Sequence, residues 1–151
     1  MKSPEAGAFV RRISIEDLDA VLAIQERSRE ASQWSREGYA RAATGEFPAW
    51  VAEERGCVVG FLVLRTAADE AEILNIAVEP DRRRGGMASA LVEGALEYSR
   101  GAGALRVFLE VRESNAAAIA FYQRHGFESA GRRPRYYQKP PEDALVLSRG
   151  L

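Results

Sequence analysis

An α/β fold built on one mixed sheet is predicted by three features of this 151-residue sequence. Strand-like and helix-like runs alternate along the chain, which places helices on both faces of a sheet. Three β-rich runs in its middle follow one another across short turns, as in an antiparallel meander. After the third, a glycine-rich loop opens a long helical pattern, and another strand follows that helix directly. A right-handed crossover would lay this strand parallel to the third. The predicted order is β-α-α-β-β-β-α-β-α-β-β.

Met1 to Ala8 is small and polar and is expected to be a disordered N-terminus, with one domain over residues 9–151. Phe9 to Ile13 forms a short first strand. Ser14, three residues before Asp17, marks a helix start, and Leu18, Val21, Leu22 and Gln25 then recur at helical spacing. A second short helix starts after Ser35 and runs through Tyr39 to Ala43, weakened by Gly38. Trp34, in the loop between the helices, is expected to pack between them, the other reading being a wall of a substrate groove.

Phe47 to Glu53 and Cys57 to Arg65 flank Arg55-Gly56, a hairpin signal. Ala71 to Val78 is the third strand of the meander. A helix runs from Met87 to about Arg100, with Met87, Leu91, Ala95 and Tyr98 on one face. Leu105, Val107, Leu109 and Val111 alternate on one face of the next strand, so Glu110 shares the other with Arg106 and Phe108. Ser114 or Asn115 caps an alanine-rich helix from Ala116 to Arg124, which Gly126 ends, with His125 as a helix-end residue. Phe127 to Tyr137 and Asp143 to Ser148 are the last strands, joined by a loop through Pro140-Pro141.

Composition narrows the function. Hydrophobic residues make up 46% and charged residues 28%, and the net charge is −1. That balance gives no global attraction to nucleic acid or to a membrane, so neither is expected as a direct partner. The single cysteine, Cys57, excludes an internal disulfide and reads as a structural thiol; with one histidine beside it no ordinary zinc site is expected. No apolar run reaches membrane-spanning length and no signal-peptide pattern opens the chain, which points to the cytoplasm.

The stretch richest in chemistry is Asn75 to Ser89, NIAVEPDRRRGGMAS. A strand ends at Pro80-Asp81, a basic loop (Arg82, Arg83, Arg84, Gly85, Gly86) follows, and a helix begins at Met87. Adjacent glycines allow close backbone approach, and a first helical turn presents unpaired, partly positive N–H groups, so the order suits an anion. A basic surface turn before an ordinary helix is the other reading. Arg83-Arg84-Gly85-Gly86-Met87-Ala88 resembles the Arg/Gln-x-x-Gly-x-Gly/Ala loop of the GCN5-related N-acetyltransferases, in which the loop amides hold the pyrophosphate of acetyl-CoA. Asn75-Ile76-Ala77-Val78 resembles that family's strand beside the pantetheine arm. Gly85 adds flexibility, so the loop is expected to order on binding the cofactor.

Acetyl transfer to an amine requires a proton acceptor for the amine, stabilisation of the carbonyl oxygen, and a proton donor for the departing thiolate. Glu110 is the candidate base, with a salt bridge to Arg112 or Arg106 as the competing role. An α-amine has a reference pKa of about 8, within easy reach of a carboxylate acting directly or through one water. Tyr122 is the candidate acid, with a core aromatic as the competing role, and Phe121 beside it reads as core. Asn115 can cap its helix, bond the cofactor, or both. A backbone N–H of Ile76 to Val78 would supply the oxyanion donor if that strand is splayed open.

The run Leu109-Glu110-Val111-Arg112-x-Ser114-Asn115, with Ala118-Ile119-x-Phe121-Tyr122 and Gly126-Phe127, closely resembles ribosomal-protein-alanine N-acetyltransferases, the RimI type. Arg133-x-x-Tyr136-Tyr137 and Glu142-Asp143-Ala144 agree, and the likeness covers roughly residues 9–149. The resemblance implies Glu110 as base and Tyr122 as acid. It implies acetyl-CoA contacts at Ile76, Ala77, Val78, Arg84, Gly85, Gly86, Met87, Ala88, Ser89 and Asn115, and no metal. The implied acceptor is the N-terminal alanine of a small-subunit ribosomal protein, acetylated by direct attack in a ternary complex, the enzyme being a monomer or weak dimer. Two alternatives stay open: acetylation of a lysine or small-molecule amine, and a non-catalytic acyl-CoA-binding module. The Arg132-Arg133-Pro134-Arg135 cluster is expected to be a solvated face.

Overall fold

A computed structural model describes residues 7–83 and 85–151. The elements are β1 (Ala8–Arg12), α1 (Leu18–Arg27), α2 (Arg36–Ala43), β2 (Ala49–Glu54), β3 (Cys57–Ala67), β4 (Glu70–Val78), α3 (Met87–Gly101), β5 (Arg106–Arg112), α4 (Ala116–Arg124), β6 (Glu128–Gln138) and β7 (Pro141–Gly150). This is the predicted order, and the sheet is mixed, with strands in the order β1-β2-β3-β4-β5-β7-β6. Of the expected disordered terminus, residues 1–6 lie outside the described residues, and Ala8 already belongs to β1.

The chain divides into two compact units. The first runs to Arg65 and adds Leu74–Tyr98. Its core joins Leu18, Val21 and Ile24 of α1 and Tyr39 and Ala42 of α2 to Val51, Phe61, Val63 and Ala77 of the strands. Asp17 accepts from the Ser14 N–H at 2.7 Å, and this capping contact starts a 3₁₀ turn that leads into α1. Ser35 accepts from the Gly38 N–H at 3.1 Å and caps α2. β2 and β3 meet across Arg55-Gly56, both with positive φ (51° and 81°), the backbone of a type I′ hairpin turn. A Cβ on Gly60 would stand 3.1 Å from the Ala77 carbonyl oxygen and 3.3 Å from Leu91 Cδ1, so only glycine lets β3 approach β4 and α3 this closely. Met87, Leu91 and Ala95 are buried as their spacing predicts, but Tyr98 is 37% exposed. Its ring meets Trp50 edge-on at 5.4 Å, with the Arg12 guanidinium over both rings. Trp34 packs against Tyr39 and Phe47, which bears out the packing reading.

The second unit holds Thr66–Ile73 and Ser99–Leu151. A parallel ladder joins Glu70–Glu72 to Arg106–Phe108, as the crossover argument requires. β5 then pairs antiparallel with β7 along its whole length, and β7 pairs with β6. Val107, Leu109 and Val111 are buried, while Leu105, expected on the same face, is 63% exposed. It precedes the strand, where its backbone bonds Asp69 and Leu151 instead. The expected loop at Pro140-Pro141 shrinks to a turn at Lys139-Pro140, because Pro141 already opens β7. β6 is an edge strand and almost wholly exposed. Between Arg133↔Ala144 and Tyr137↔Glu142 it carries extra residues, a bulge in which Arg135 has φ 51° and donates its N–H to Asp143 Oδ1 at 2.9 Å.

Candidate active site

In the second unit the alternation of β5 decides what is displayed. Val107, Leu109 and Val111 point into the core, so Glu110 and Arg112 take the opposite face. The Glu110 side chain is 14% exposed, and Arg133 on β6 brings Nε to 3.2 Å from its Oε1. Its second oxygen, Oε2, is buried with no hydrogen-bond partner among the described residues. A buried carboxylate oxygen without a partner is costly and calls for an explanation beyond folding. The salt bridge considered for Glu110 therefore exists, but with a different partner. Arg112 bonds Glu142 at 3.1 Å, and Arg106 donates to Ser148 Oγ at 3.0 Å. The arginine cluster is exposed, as a solvated face requires, and two of its members carry ion pairs: Arg132 with Glu113 and Asp143, and Arg133 with Glu110.

Two tyrosines from the bulged part of β6 complete this group. Hydrogen bonding to Glu110, then burial, raises the Tyr136 pKa, and the Arg133 guanidinium lies over the Tyr136 ring at 5.8 Å. Tyr137 is half-buried and pushed up to about 12, first by burial and then by the Glu110 charge. Arg112 stacks 4.2 Å over its ring while bonding Glu142 and the carbonyls of Lys139 and Pro140. Glu142 in turn accepts from the Ser114 N–H at 2.6 Å. This chain of contacts ties the end of β5 to the β6–β7 turn. Sequence reasoning used Arg133, Tyr136 and Tyr137 only as parts of a motif; the Arg-x-x-Tyr-Tyr spacing was the available signal.

Asn115 is the cap of α4, accepting from the Ala118 N–H at 3.1 Å. At the other end the Phe127 N–H bonds the Tyr122 carbonyl, Gly126 takes φ 84°, and the buried His125 gives its carbonyl to Arg149 at 2.7 Å. His125 is thus a helix-end residue, as expected. Tyr122 is 6% exposed, with its ring against Phe121 and Phe127. Burial, then the neighbouring Tyr137, raises its pKa, so the phenol keeps its proton. Its hydroxyl makes no hydrogen bond among the described residues.

In the first unit, Ala77 and Val78 are buried and Ile76 is half-buried. The basic loop is held by acidic neighbours: Arg82 bonds Glu54 at 3.2 Å, and Arg83 pairs with Glu30 at 3.6 Å while donating to the Val78 carbonyl. Arg27 and Glu79 form a further pair. Arg84 lies outside the described residues. Gly86 has φ 87°, and the Ala90 N–H bonds its carbonyl at 3.0 Å as the first turn of α3 closes. A helix that starts directly after a glycine loop is a backbone arrangement that fits a phosphate. Gly85, Gly86, Ala88 and Ser89 are accessible there, whereas Met87 is buried as an anchor. Asn75, just upstream, points inward. It bonds both backbone groups of Ser32 and the Tyr39 hydroxyl, a structural role the motif did not reveal.

Among the described residues, no group of His, Cys, Asp and Glu could hold a metal ion, and no helix is long and apolar enough to cross a membrane.

The family to which this chain belongs is one of acyltransferases. A model of the acetyltransferase (GNAT) family matches residues 15–127, and the chain belongs to that family as an N-acetyltransferase. Among known proteins it is similar to the [ribosomal protein bS18]-alanine N-acetyltransferase of Escherichia coli (strain K12), 35% identical over 134 residues, 87% of this chain and 90% of that protein. It is likewise similar to the putative [ribosomal protein bS18]-alanine N-acetyltransferase of Bacillus subtilis (strain 168), 33% identical over 142 residues and 93% of each chain. The crystal structure of the ribosomal-protein-S18-alanine N-acetyltransferase from Escherichia coli superposes with a TM-score of 0.84 at 32% identity, covering 95% of this chain and 93% of that one.

Proposed function

We propose that this chain transfers the acetyl group of acetyl-CoA to a protein N-terminal α-amine, the N-terminal alanine of a small-subunit ribosomal protein, with both substrates bound together. The observation that carries the reading is Glu110: a fixed, nearly buried carboxylate with one bare oxygen. The acceptor rests on the names of the relatives, which act on the alanine of ribosomal protein bS18. Residues 9–151 act as one acetyltransferase domain in this reading, since the family match draws on both compact units.

Acetyl-CoA, when bound, supplies an activated acetyl thioester. Backbone groups of Ile76 to Val78 and of Arg84 to Ser89, together with Asn115, would hold it, the loop amides taking the pyrophosphate. Glu110 accepts the proton that the amine must lose, on Oε2 or through one water. The amine nitrogen bonds the acetyl carbon as the carbon–sulfur bond breaks, and Tyr122 gives its proton to the departing sulfur. Solvent then takes the proton from Glu110 and restores that of Tyr122. A phenol whose pKa is raised is protonated at neutral pH, the state a donor requires.

The test is mass spectrometry on one mixture of the protein, acetyl-CoA and three kinds of peptide: beginning Ala-Arg, beginning with other residues, and blocked at the N-terminus but bearing lysine. One acetyl gained by the Ala-Arg peptide alone is the expected result. Gain on lysine or on every free N-terminus discards the narrow acceptor, and no gain on any peptide favours an acyl-CoA-binding module.

A further inference from the structure

The charges around Glu110 bear on which amines can react, given the reading of Glu110 as the base. Glu110 carries one negative charge, and Arg133 places one positive charge against Oε1. The tyrosines and Arg112 beside this pair bring no uncompensated charge. Tyr136 and Tyr137 of β6 present phenols whose pKa values are raised. Arg112 of β5 is matched by Glu142 of β7. Glu72 of β4 acts on Tyr136 from the neighbouring strand, and Arg106 of β5 donates to Ser148 Oγ. The proton-accepting carboxylate is therefore half of an ion pair, and its second oxygen has no hydrogen-bond partner among the described residues.

We propose that Arg133 is a specificity-determining residue: by keeping the surroundings of Glu110 neutral, it favours α-amines, which can arrive uncharged, over lysine side chains, which arrive as cations. The reference pKa is about 8 for an α-amine and about 10.4 for lysine. At pH 7 roughly one α-amine in ten is neutral, against roughly one lysine in a few thousand. A neutral amine needs no field to draw it to Oε2. An ammonium group must shed water to reach the same oxygen, and the attraction of Glu110 that would offset this is opposed by Arg133. Without Arg133, Glu110 is an unpaired anion that draws cations in. Arg133 has a side chain 59% exposed, so its replacement leaves the packed interior untouched.

The test compares kcat/KM at pH 7 for two peptides, one lysine-free with a free N-terminal alanine, the other N-terminally blocked with a single lysine. Arg133→Gln should lower the α-amine-to-lysine ratio by about fivefold or more, the effect of one unit charge a few ångströms away in a water-like dielectric. Arg133→Lys keeps the charge and should hold the ratio within about twofold of the parent, which a merely structural role for the guanidinium would not predict. An unchanged ratio in Arg133→Gln, or an equal fall in Arg133→Lys, overturns the proposal. Glu110→Gln in the same assay separates the two readings. Parent-level turnover in that variant removes Glu110 as base. Loss of turnover there, with the ratio unmoved in Arg133→Gln, removes only the role of Arg133.

Discussion

Asn75 on β4 and Glu110 on β5 are both polar side chains within apolar strands, yet only Asn75 has its hydrogen-bonding capacity filled. Its Nδ2 donates to the Ser32 carbonyl and the Tyr39 hydroxyl, each at 2.9 Å, and its Oδ1 accepts from the N–H groups of Ser32 and Ile76. Tyr39 continues the chain to Gln25, whose amide bonds both backbone groups of Trp34. This network ties β4 to the segment between α1 and α2, and it closes on itself. The Glu110 group stays open: one oxygen meets Arg133 and the other has no hydrogen-bond partner among the described residues. Closed polar networks specify a packing, whereas an open carboxylate costs stability that a folding argument alone does not recover. The contrast separates a residue kept for structure from one available for chemistry.

Substituting each residue tests that separation. Glu110→Gln should lower turnover by about 100-fold or more, the usual contribution of a general base, with the KM for acetyl-CoA within about twofold. Its melting temperature should change little, because the amide keeps the shape of the carboxylate and Arg133, with a side chain 59% exposed, is solvated without its partner. Asn75→Ala should do the opposite. It strands the Ser32 backbone groups and the Tyr39 hydroxyl, and should cost about 2–4 kcal/mol in urea unfolding. Turnover per folded molecule should drop less than tenfold. A Glu110→Gln variant that melts early, or an Asn75→Ala variant as stable as the parent, breaks the comparison.

The two networks also show what a sequence can disclose. Period-two alternation in β5 put Glu110 opposite Val107, Leu109 and Val111, and Ser35 and Asn115 announced their caps, because these are contacts within a few residues. The arginine that meets Glu110 was not legible. Arg106 and Arg112 are its neighbours along the strand, but β7 lies between β5 and β6 in the sheet, and the bulge at 134–136 sets the register that brings Arg133 across. Asn75 and Ser32 are far apart in sequence for the same reason: their contact depends on how the segment between α1 and α2 meets β4. The family resemblance pointed to the chemistry of Glu110, but not to its charge partner.

A pair of tyrosines sharpens the contrast. Tyr39 and Tyr122 are both buried, and burial raises both pKa values, so each stays protonated through neutral pH. Tyr39 accepts from Asn75 and donates to Gln25. The Tyr122 hydroxyl makes no hydrogen bond among the described residues, and its ring alone is packed, against Phe121 and Phe127. Removing the hydroxyl should therefore act on different properties. Tyr39→Phe loses two bonds and should cost about 1–2 kcal/mol of stability, with turnover per folded molecule unchanged within twofold. Tyr122→Phe keeps the ring contacts and should change stability by less than about 0.5 kcal/mol. It should slow turnover about tenfold or more if the phenol protonates the leaving sulfur. Parallel urea melts and steady-state rates on the two variants decide the matter. An unchanged rate in Tyr122→Phe would make that hydroxyl a bystander in an aromatic core and would leave proton delivery to the sulfur to another group or to water.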